Sequence, residues 1–481
     1  MINRPQAVSG AAARRRCILA AGPALLVLSV LLPPPAGMAV AAWQCAALAL
    51  WMALWWATEA IAIPVTALLP LLLAPLIGLS EIQTMAAAYA HPVVFLFMGG
   101  FMLGLGMQRW QLHRRLALVI LCRVGAAPRR QIAGFMAATA FLSMWVSNTA
   151  TAVMMLPIAM SVIALLPESL PARRNYAVAL LLAIAYSASI GGMATLIGTP
   201  PNALLAAYLQ SSHGIALGFA QWMSLALPVS AAMLAACWWL LCRGDFRGVA
   251  DYSSVDVSRR ALDELGPISP AERRIATVFV LAACGWIARP LIDPWLPGLS
   301  DTGVALLAAL SLFVLPSGRP GQALLDWQTA EKLPWGVLLL FGGGLALAAL
   351  IGSSGLASWI AGQLELLAVL PVAVLLLVVV AVMVFLTELT SNTATTAAFL
   401  PLLGAMAVAQ GQAPLLLCAG AALAASCAFM MPVATPPNAV VFGSGELAIR
   451  DMMAAGFRLN LLGIALVSLC SYGVITLLWL A

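Results

Sequence analysis

Along this chain apolar residues do not alternate with polar ones at the spacing of a strand or of a single helix face. They run on for roughly 20 positions at a time, the length of helix that crosses the hydrocarbon of a bilayer, before short clusters of Pro, Gly or Arg interrupt them. A helix that is apolar on every side needs apolar surroundings. The runs lie near 17–37, 41–59, 61–78, 93–108, 176–212, 218–242, 272–296, 301–317, 335–352, 414–445 and 458–480. They predict an all-α polytopic membrane protein of about 11 transmembrane helices, since a helix satisfies its own backbone in lipid.

Two segments depart from simple spans. Residues 131–165 stay apolar for 35 positions apart from Ser147-Asn148-Thr149, with Arg129-Arg130 before them and Arg173-Arg174 after. Arginines mark cytoplasmic connections, so both ends sit inside and the segment folds as a re-entrant hairpin whose tip is the polar triplet. Residues 371–409 repeat the pattern around Ser391-Asn392-Thr393 with no Lys or Arg in either flank, so this hairpin enters from outside. The preceding stretches show the same contrast: residues 107–130 hold Arg109, Arg114, Arg115, Arg123, Arg129 and Arg130, while residues 350–371 hold none.

The duplication is legible in letters. Ser-Asn-Thr-Ala-Thr stands at 147–151 and 391–395, and Thr-Pro-Pro-Asn-Ala at 199–203 and 435–439. Like sequence with opposite charge bias is the signature of inverted-topology repeats. The chain accordingly divides into an N-terminus and first span (1–40), a first repeat (41–242) with hairpin 131–165 and broken helix 176–212, a cytoplasmic linker (243–271), and a second repeat (272–481) with hairpin 371–409 and broken helix 414–445. Arg14-Arg15-Arg16 and the apolar stretch to Leu32 resemble a signal peptide, but with so many spans behind them they read as a retained first span. The N-terminus is then cytoplasmic and the C-terminus outside.

Composition narrows the class. At 63% hydrophobic and 8% charged over 481 residues, the chain cannot coat a soluble fold with polar side chains. The net charge of +6 comes from arginines in short connections, which is a topology signal and not a nucleic-acid patch. The nine cysteines form no CxxC, and His91, His113 and His213 are scattered, so no metal cluster or organic cofactor is expected. Intramembrane hydrolysis would need a paired Asp, a Ser/His couple or a His/Glu metal set at depth. None is present, and a non-enzymatic protein is expected.

The helix breaks carry the chemistry. Pro200-Pro201 and Pro436-Pro437 remove backbone donors, so spans 176–212 and 414–445 each become two half-helices around an unwound loop whose carbonyls need partners. A hard cation such as Na⁺ takes carbonyl, hydroxyl and carboxamide oxygens. Two cation sites follow: Ser143, Ser147 and Asn148 with backbone near Gly198 and Thr199, and Thr387, Ser391 and Asn392 with backbone near Ala434 and Thr435. Ser143 and Thr387 each lie four residues before the Ser of their triplet, on the same helix face. Converging helix N-termini favour an anion between the tips. Asn148, Thr149, Asn392 and Thr393 offer donors to it, as do Thr199 and Thr435. No Arg or Lys lies near these words, so a dianion there needs co-bound cations. Two carboxylates fall inside predicted spans, Glu59 and Glu388. Glu388, where the first half has Met144, either tunes the site, relays a proton or is a buried packing group.

Trp55-Trp56-Ala57-Thr58-Glu59-Ala60-Ile61-Ala62-Ile63-Pro64, the stretch from Phe97 to Arg115, both Ser-Asn-Thr words and both Thr-Pro-Pro-Asn loops together resemble the divalent anion/sodium symporter family, in its bacterial sodium-dependent dicarboxylate form, from about residue 45 onward. The resemblance implies a homodimer in the bacterial inner membrane, with a scaffold domain and a transport domain that holds both hairpins. It implies elevator-type alternating access and Na⁺ coupled to a di- or tricarboxylate or to sulfate. The triplets would contact substrate and Na⁺, Gly198 and Ala434 would give backbone ligands, and Thr435 and Pro436 would border the substrate. Ala62 departs from the Pro often found there. The expected function is Na⁺-coupled symport of a small dicarboxylate, with Na⁺-independent exchange, or citrate or sulfate transport, as the alternatives within the family.

Overall fold

A computed structural model describes residues 6–252, 255–363 and 371–479, and every named element among them is helical. Among the described residues eight helical segments are long and apolar enough to cross a membrane: Val40–Thr58, Ile82–Arg109, Arg173–Met193, Phe219–Leu241, Pro270–Ile292, Trp335–Ser353, Asn392–Ala409 and Ile449–Leu477. Five apolar helices are shorter. The predicted span 61–78 resolves into Ile63–Thr66 and Leu69–Leu76, because Pro70 restarts the helix one residue in. The predicted span 93–108 is instead the later part of a longer pair, Ile82–Tyr89 and Pro92–Arg109, divided ahead of Pro92. Glu59 is not inside a span. It caps the end of Val40–Thr58 in a left-handed conformation (φ 47°) and is exposed.

The two interrupted segments form helix pairs. Pro128–Ser143 and Asn148–Ala164 make the first, and Val372–Thr387 and Asn392–Ala409 the second. Both ends of the first pair lie on the face that carries residues 243–252 and 255–271. Trp238 Nε1 donates to the Arg129 carbonyl at 3.0 Å, the Tyr176 ring packs edge-on to Phe246, and helix Val255–Glu264 lies against Asn148–Ala164. The second pair ends on the opposite face, where Gly404 packs under Tyr208 and His213 at the far end of Pro200–His213. Of the arginine-free stretch 350–371, the first residues end helix Trp335–Ser353 and helix Leu356–Gln363 follows, while residues 364–370 lie outside the described residues.

The helices pack in two groups. One joins Gln6–Leu31, Val40–Thr58, Ile82–Arg109, Pro270–Ile292, Asp301–Val314 and Trp335–Ser353; the other joins both hairpins, both broken helices, Phe219–Leu241 and Ile449–Val474. Within each group the backbones touch through glycine. A Cβ on Gly99 would stand 2.7 Å from the Ala305 backbone, on Gly343 2.2 Å from the Ala67 carbonyl, on Gly191 2.3 Å from the Ala140 carbonyl and on Gly456 2.2 Å from the Phe429 carbonyl. Small residues let helices approach this closely where water offers no driving force. Between the groups the approach is looser: a Cβ on Gly100 would meet only the Ile197 side chain, from 3.2 Å, and one on Gly344 would meet the Ala397 and Leu204 side chains from 3.2 Å and the Ala397 backbone only at 3.9 Å.

Candidate functional site

Each hairpin turns at a triplet that becomes a helix start. Ser147 and Ser391 are the N-caps of Asn148–Ala164 and Asn392–Ala409, so Asn148, Thr149, Asn392 and Thr393 occupy first helical turns, where backbone N–H groups lack carbonyl partners. Thr199 and Thr435 are likewise the N-caps of Pro200–His213 and Pro436–Phe442. Each of those helices opens on two prolines, which pre-set the backbone and give up no hydrogen bond there. Two of the four starts are partly satisfied from within: Ser147 Oγ accepts from Ala150 N and Thr435 Oγ1 from Asn438 N, both at 3.3 Å.

The predicted ligands gather into two matched clusters. In the first, Ser143 Oγ stands 2.6 Å from Asn148 Oδ1 and 2.6 Å from the Ala188 carbonyl. One hydroxyl proton cannot serve both oxygens. With the amide turned, Asn148 Nδ2 donates to Ser143 Oγ at 2.6 Å, to Ala188 O at 3.2 Å and to Gly198 O at 3.3 Å, and Ser143 keeps its proton for Ala188. In the second, Thr387 Oγ1 stands 2.5 Å from Asn392 Oδ1 and 3.0 Å from the Ala425 carbonyl. Ser143 and Thr387 are fully buried, Thr199 and Thr435 nearly so; Gly198 and Ala434 are buried as well. Ser147, Thr149 and Pro436 are exposed, and Asn148, Ser391, Asn392 and Thr393 lie between. The tips thus present a buried oxygen-rich side to the loops and an open side beyond it.

The unwound loops run over residues 194–199 and 425–435. Several carbonyls in these loops and in the helix turn before the first are met by the protein itself, by residues the sequence reading did not assign. Asn202 Nδ2 donates to the carbonyls of Gly192 (3.3 Å), Met193 (3.1 Å) and Thr195 (2.7 Å), and Asn438 Nδ2 to those of Ala428 (3.1 Å) and Met431 (3.0 Å). The signal was present, since these are the asparagines of the repeated Thr-Pro-Pro-Asn word. Trp222 Nε1 adds a bond to Met193 O at 3.0 Å. The first loop is also tied to its hairpin, Thr195 Oγ1 donating to Met144 O at 2.5 Å and accepting from Gly198 N at 3.1 Å.

The second loop is tied differently. Glu388, buried at the hairpin turn, accepts from the backbone N–H groups of Phe429 (2.7 Å), Met430 (2.9 Å) and Met431 (3.0 Å) and from Asn460 Nδ2 (2.7 Å). Four donors converge on this acceptor, so it fixes the loop against the tip and against helix Ile449–Val474. Among the described residues no group of three or more His, Cys, Asp or Glu is placed to hold a metal ion, and no ion pair includes a tip residue. Hard oxygens and helix N-termini are the chemistry on offer.

Interrupted helices, helical hairpins turning at polar triplets, and oxygen clusters deep among apolar spans are the architecture of a multi-pass membrane transport protein. Residues 15–480 match the family described as the sodium:sulfate symporter transmembrane region, and the chain belongs to that family. This bears out the resemblance read from the repeated words. The chain is 41% identical over 469 residues to the sodium-dependent dicarboxylate transporter SdcS of Staphylococcus saprophyticus, covering 94% of this chain and 89% of that one. It is 41% identical over 464 residues to SdcS of Staphylococcus aureus strain USA300, with the same coverage. Among solved structures, the YdaH transporter of Alcanivorax borkumensis aligns with a TM-score of 0.58 at 16% identity, over 81% of this chain and 87% of that one. MtrF of Neisseria gonorrhoeae aligns at 0.55 and 13%, over 83% and 85%. At such identities the likeness is one of fold.

Proposed function

We propose that this chain is a secondary active transporter that couples Na⁺ to the movement of a small dicarboxylate of the succinate, malate or fumarate class, by elevator-type alternating access. The observation that carries the reading is the duplicated cluster, Ser143 with Asn148 and Ala188 against Thr387 with Asn392 and Ala425. Each places a hydroxyl, a carboxamide and a carbonyl oxygen at one point beside an unwound loop. Na⁺ at the first would take the place of the Asn148 amide nitrogen, drawing Oδ1 inward beside Ser143, Ser147 and the Gly198 carbonyl. At the second it would meet Thr387, Ser391, Asn392 and the Ala434 carbonyl.

The dianion then sits on the open side of the tips, among Ser147, Asn148, Thr149, Ser391, Asn392 and Thr393, bordered by Thr199, Thr435 and Pro436. With no cationic side chain at the tips, its charge is offset by four helix N-termini and the two ions. This makes coupling a physical requirement, because either charge alone is costly at that depth. The two halves act as inverted repeats, in a homodimer of the bacterial inner membrane with the N-terminus cytoplasmic and the C-terminus outside. The names of the SdcS relatives support Na⁺ and dicarboxylate, while the name of the family includes sulfate.

The test is uptake of labelled succinate, malate, fumarate, citrate and sulfate into vesicles carrying the purified protein, with Na⁺ or choline outside. Saturable dicarboxylate uptake that collapses in choline is the expected result. Full-rate counterflow in choline would replace symport by exchange, and preference for citrate or sulfate would replace the substrate.

A further inference from the structure

Two adjacent glycines close helix Arg173–Met193, and the side chains they lack would point at different neighbours. A Cβ on Gly191 would stand 2.3 Å from the Ala140 carbonyl oxygen, which is backbone and cannot give way. A Cβ on Gly192 would stand 2.5 and 2.9 Å from the two terminal atoms of the Asn148 carboxamide and 3.1 Å from the carbon that bears them. Outside its own helix, the three atoms nearest that position all belong to Asn148, the side chain placed above at the first cation site. Gly192 also carries the loop, since a Cβ on Gly198 would meet the Gly192 carbonyl oxygen at 2.4 Å. Gly192 thus borders both the carboxamide of Asn148 and the backbone of Gly198, two of the oxygen sources assigned to that ion.

The second half does not repeat this clearance. Asn202 and Asn438 hold the same place in the two repeated words, and each donates to the carbonyl ten residues back, Gly192 at 3.3 Å and Ala428 at 3.1 Å. Ala428 is therefore the counterpart of Gly192, and it is fully buried. Ser143 is matched in the same way by Thr387, each bonded to a helix carbonyl of its own half, and Thr387 again carries one more carbon. The two clusters share their oxygen types, but at these matched positions the first is built with two fewer methyl groups.

What the clearance permits is a turn of the carboxamide. Asn148 directs Nδ2 toward Ser143, Ala188 and Gly198, whereas a cation needs Oδ1 there. Exchanging the two atoms swings the carboxamide about its Cβ–Cγ bond, past the point where a Cβ at position 192 would stand.

We propose that Gly192 is the positioning residue of the first cation site, a role that rests on the Na⁺-coupled reading above. Having no side chain, it lets Asn148 reach the loop and turn its oxygen inward as the ion arrives. It also makes the two sites unequal, the first yielding where the second is braced.

The test is Gly192→Ala in the full-length protein, read by the Na⁺ concentration for half-maximal succinate uptake and by the unfolding midpoint in detergent with and without Na⁺. The added Cβ meets the free end of a side chain, and alanine suits a helix better than glycine, so the midpoint without Na⁺ should stay level or rise. With Asn148 displaced, half-saturating Na⁺ should increase about tenfold, the low end for a group that orients a metal ligand. The rise in midpoint that Na⁺ brings should shrink, and saturating Na⁺ should restore the maximal rate. A response to Na⁺ equal to that of the unaltered protein would overturn the proposal. So would a midpoint that falls without Na⁺, or a rate lowered at every Na⁺ concentration, since Gly192 would then serve packing and not Asn148. Uptake by the unaltered protein that is indifferent to Na⁺ would overturn the transport reading itself, and this role with it.

Discussion

Asn148 and Asn392 are the residues on which both proposed ions and the substrate meet, and each already bridges its hairpin to a neighbouring helix carbonyl through a hydroxyl. Asn148→Ala and Asn392→Ala should each abolish Na⁺-dependent uptake while leaving a monodisperse protein in detergent; normal uptake would remove that residue from the site. Glu388 sets a different expectation. Glu388→Ala strands three backbone N–H groups and the Asn460 amide in the interior, at a cost of about 3 kcal/mol or more, so its unfolding midpoint in detergent should fall clearly. Glu388→Gln keeps one accepting oxygen and should fall between. A midpoint unchanged in the Ala variant would mean that the four hydrogen bonds do not hold the loop. The repeated words made the tips and their polar clusters legible, and Glu388 stood out as a carboxylate inside a predicted span. Its partners could not be read: its first-half counterpart is Met144, three of its four donors are backbone groups that carry no letter in the sequence, and the fourth, Asn460, lies 72 residues away.

At the scale of elements, run length and charge located the helices, and proline located the breaks. Both hairpins and both broken helices lie where apolar length exceeded one span and a polar triplet or Pro-Pro interrupted it. What length could not give was how other carbonyls around the loops are satisfied: Asn202 and Asn438 fold back on those of Thr195 and Met431, away from the carbonyls of Gly198 and Ala434. Nor could it give close approach. Gly191→Ala would push a Cβ into the Ala140 backbone, an overpacking worth roughly 1–3 kcal/mol, and thermal denaturation should report it; an unshifted midpoint would mean the helices can part freely. The ends of these elements are joined by ion pairs, Arg173 with Glu446 and Arg174 with Asp451, both at 2.9 Å. Cysteines at positions 173 and 446 should therefore label from the same side of the membrane, the cytoplasmic one by the arginine rule. Labelling from opposite sides would break the topology.

For the whole molecule, two bodies of helices meet along a boundary of different texture from their interiors. Inside each body glycines sit so close to a neighbouring backbone that an added Cβ would come within 3.0 Å of it, so neither can shear internally without opening voids. Across the boundary Gly100 and Gly344 would bring an added Cβ no nearer than 3.2 Å to a neighbour, a side-chain atom in each case. If one body glides past the other, as proposed, this seam is its bearing surface, and the smoothness of that bearing governs turnover and not affinity. A single added methyl, Gly344→Ala, should act as friction: fewer cycles per second, with the Na⁺ and dicarboxylate concentrations for half-maximal uptake left where they were.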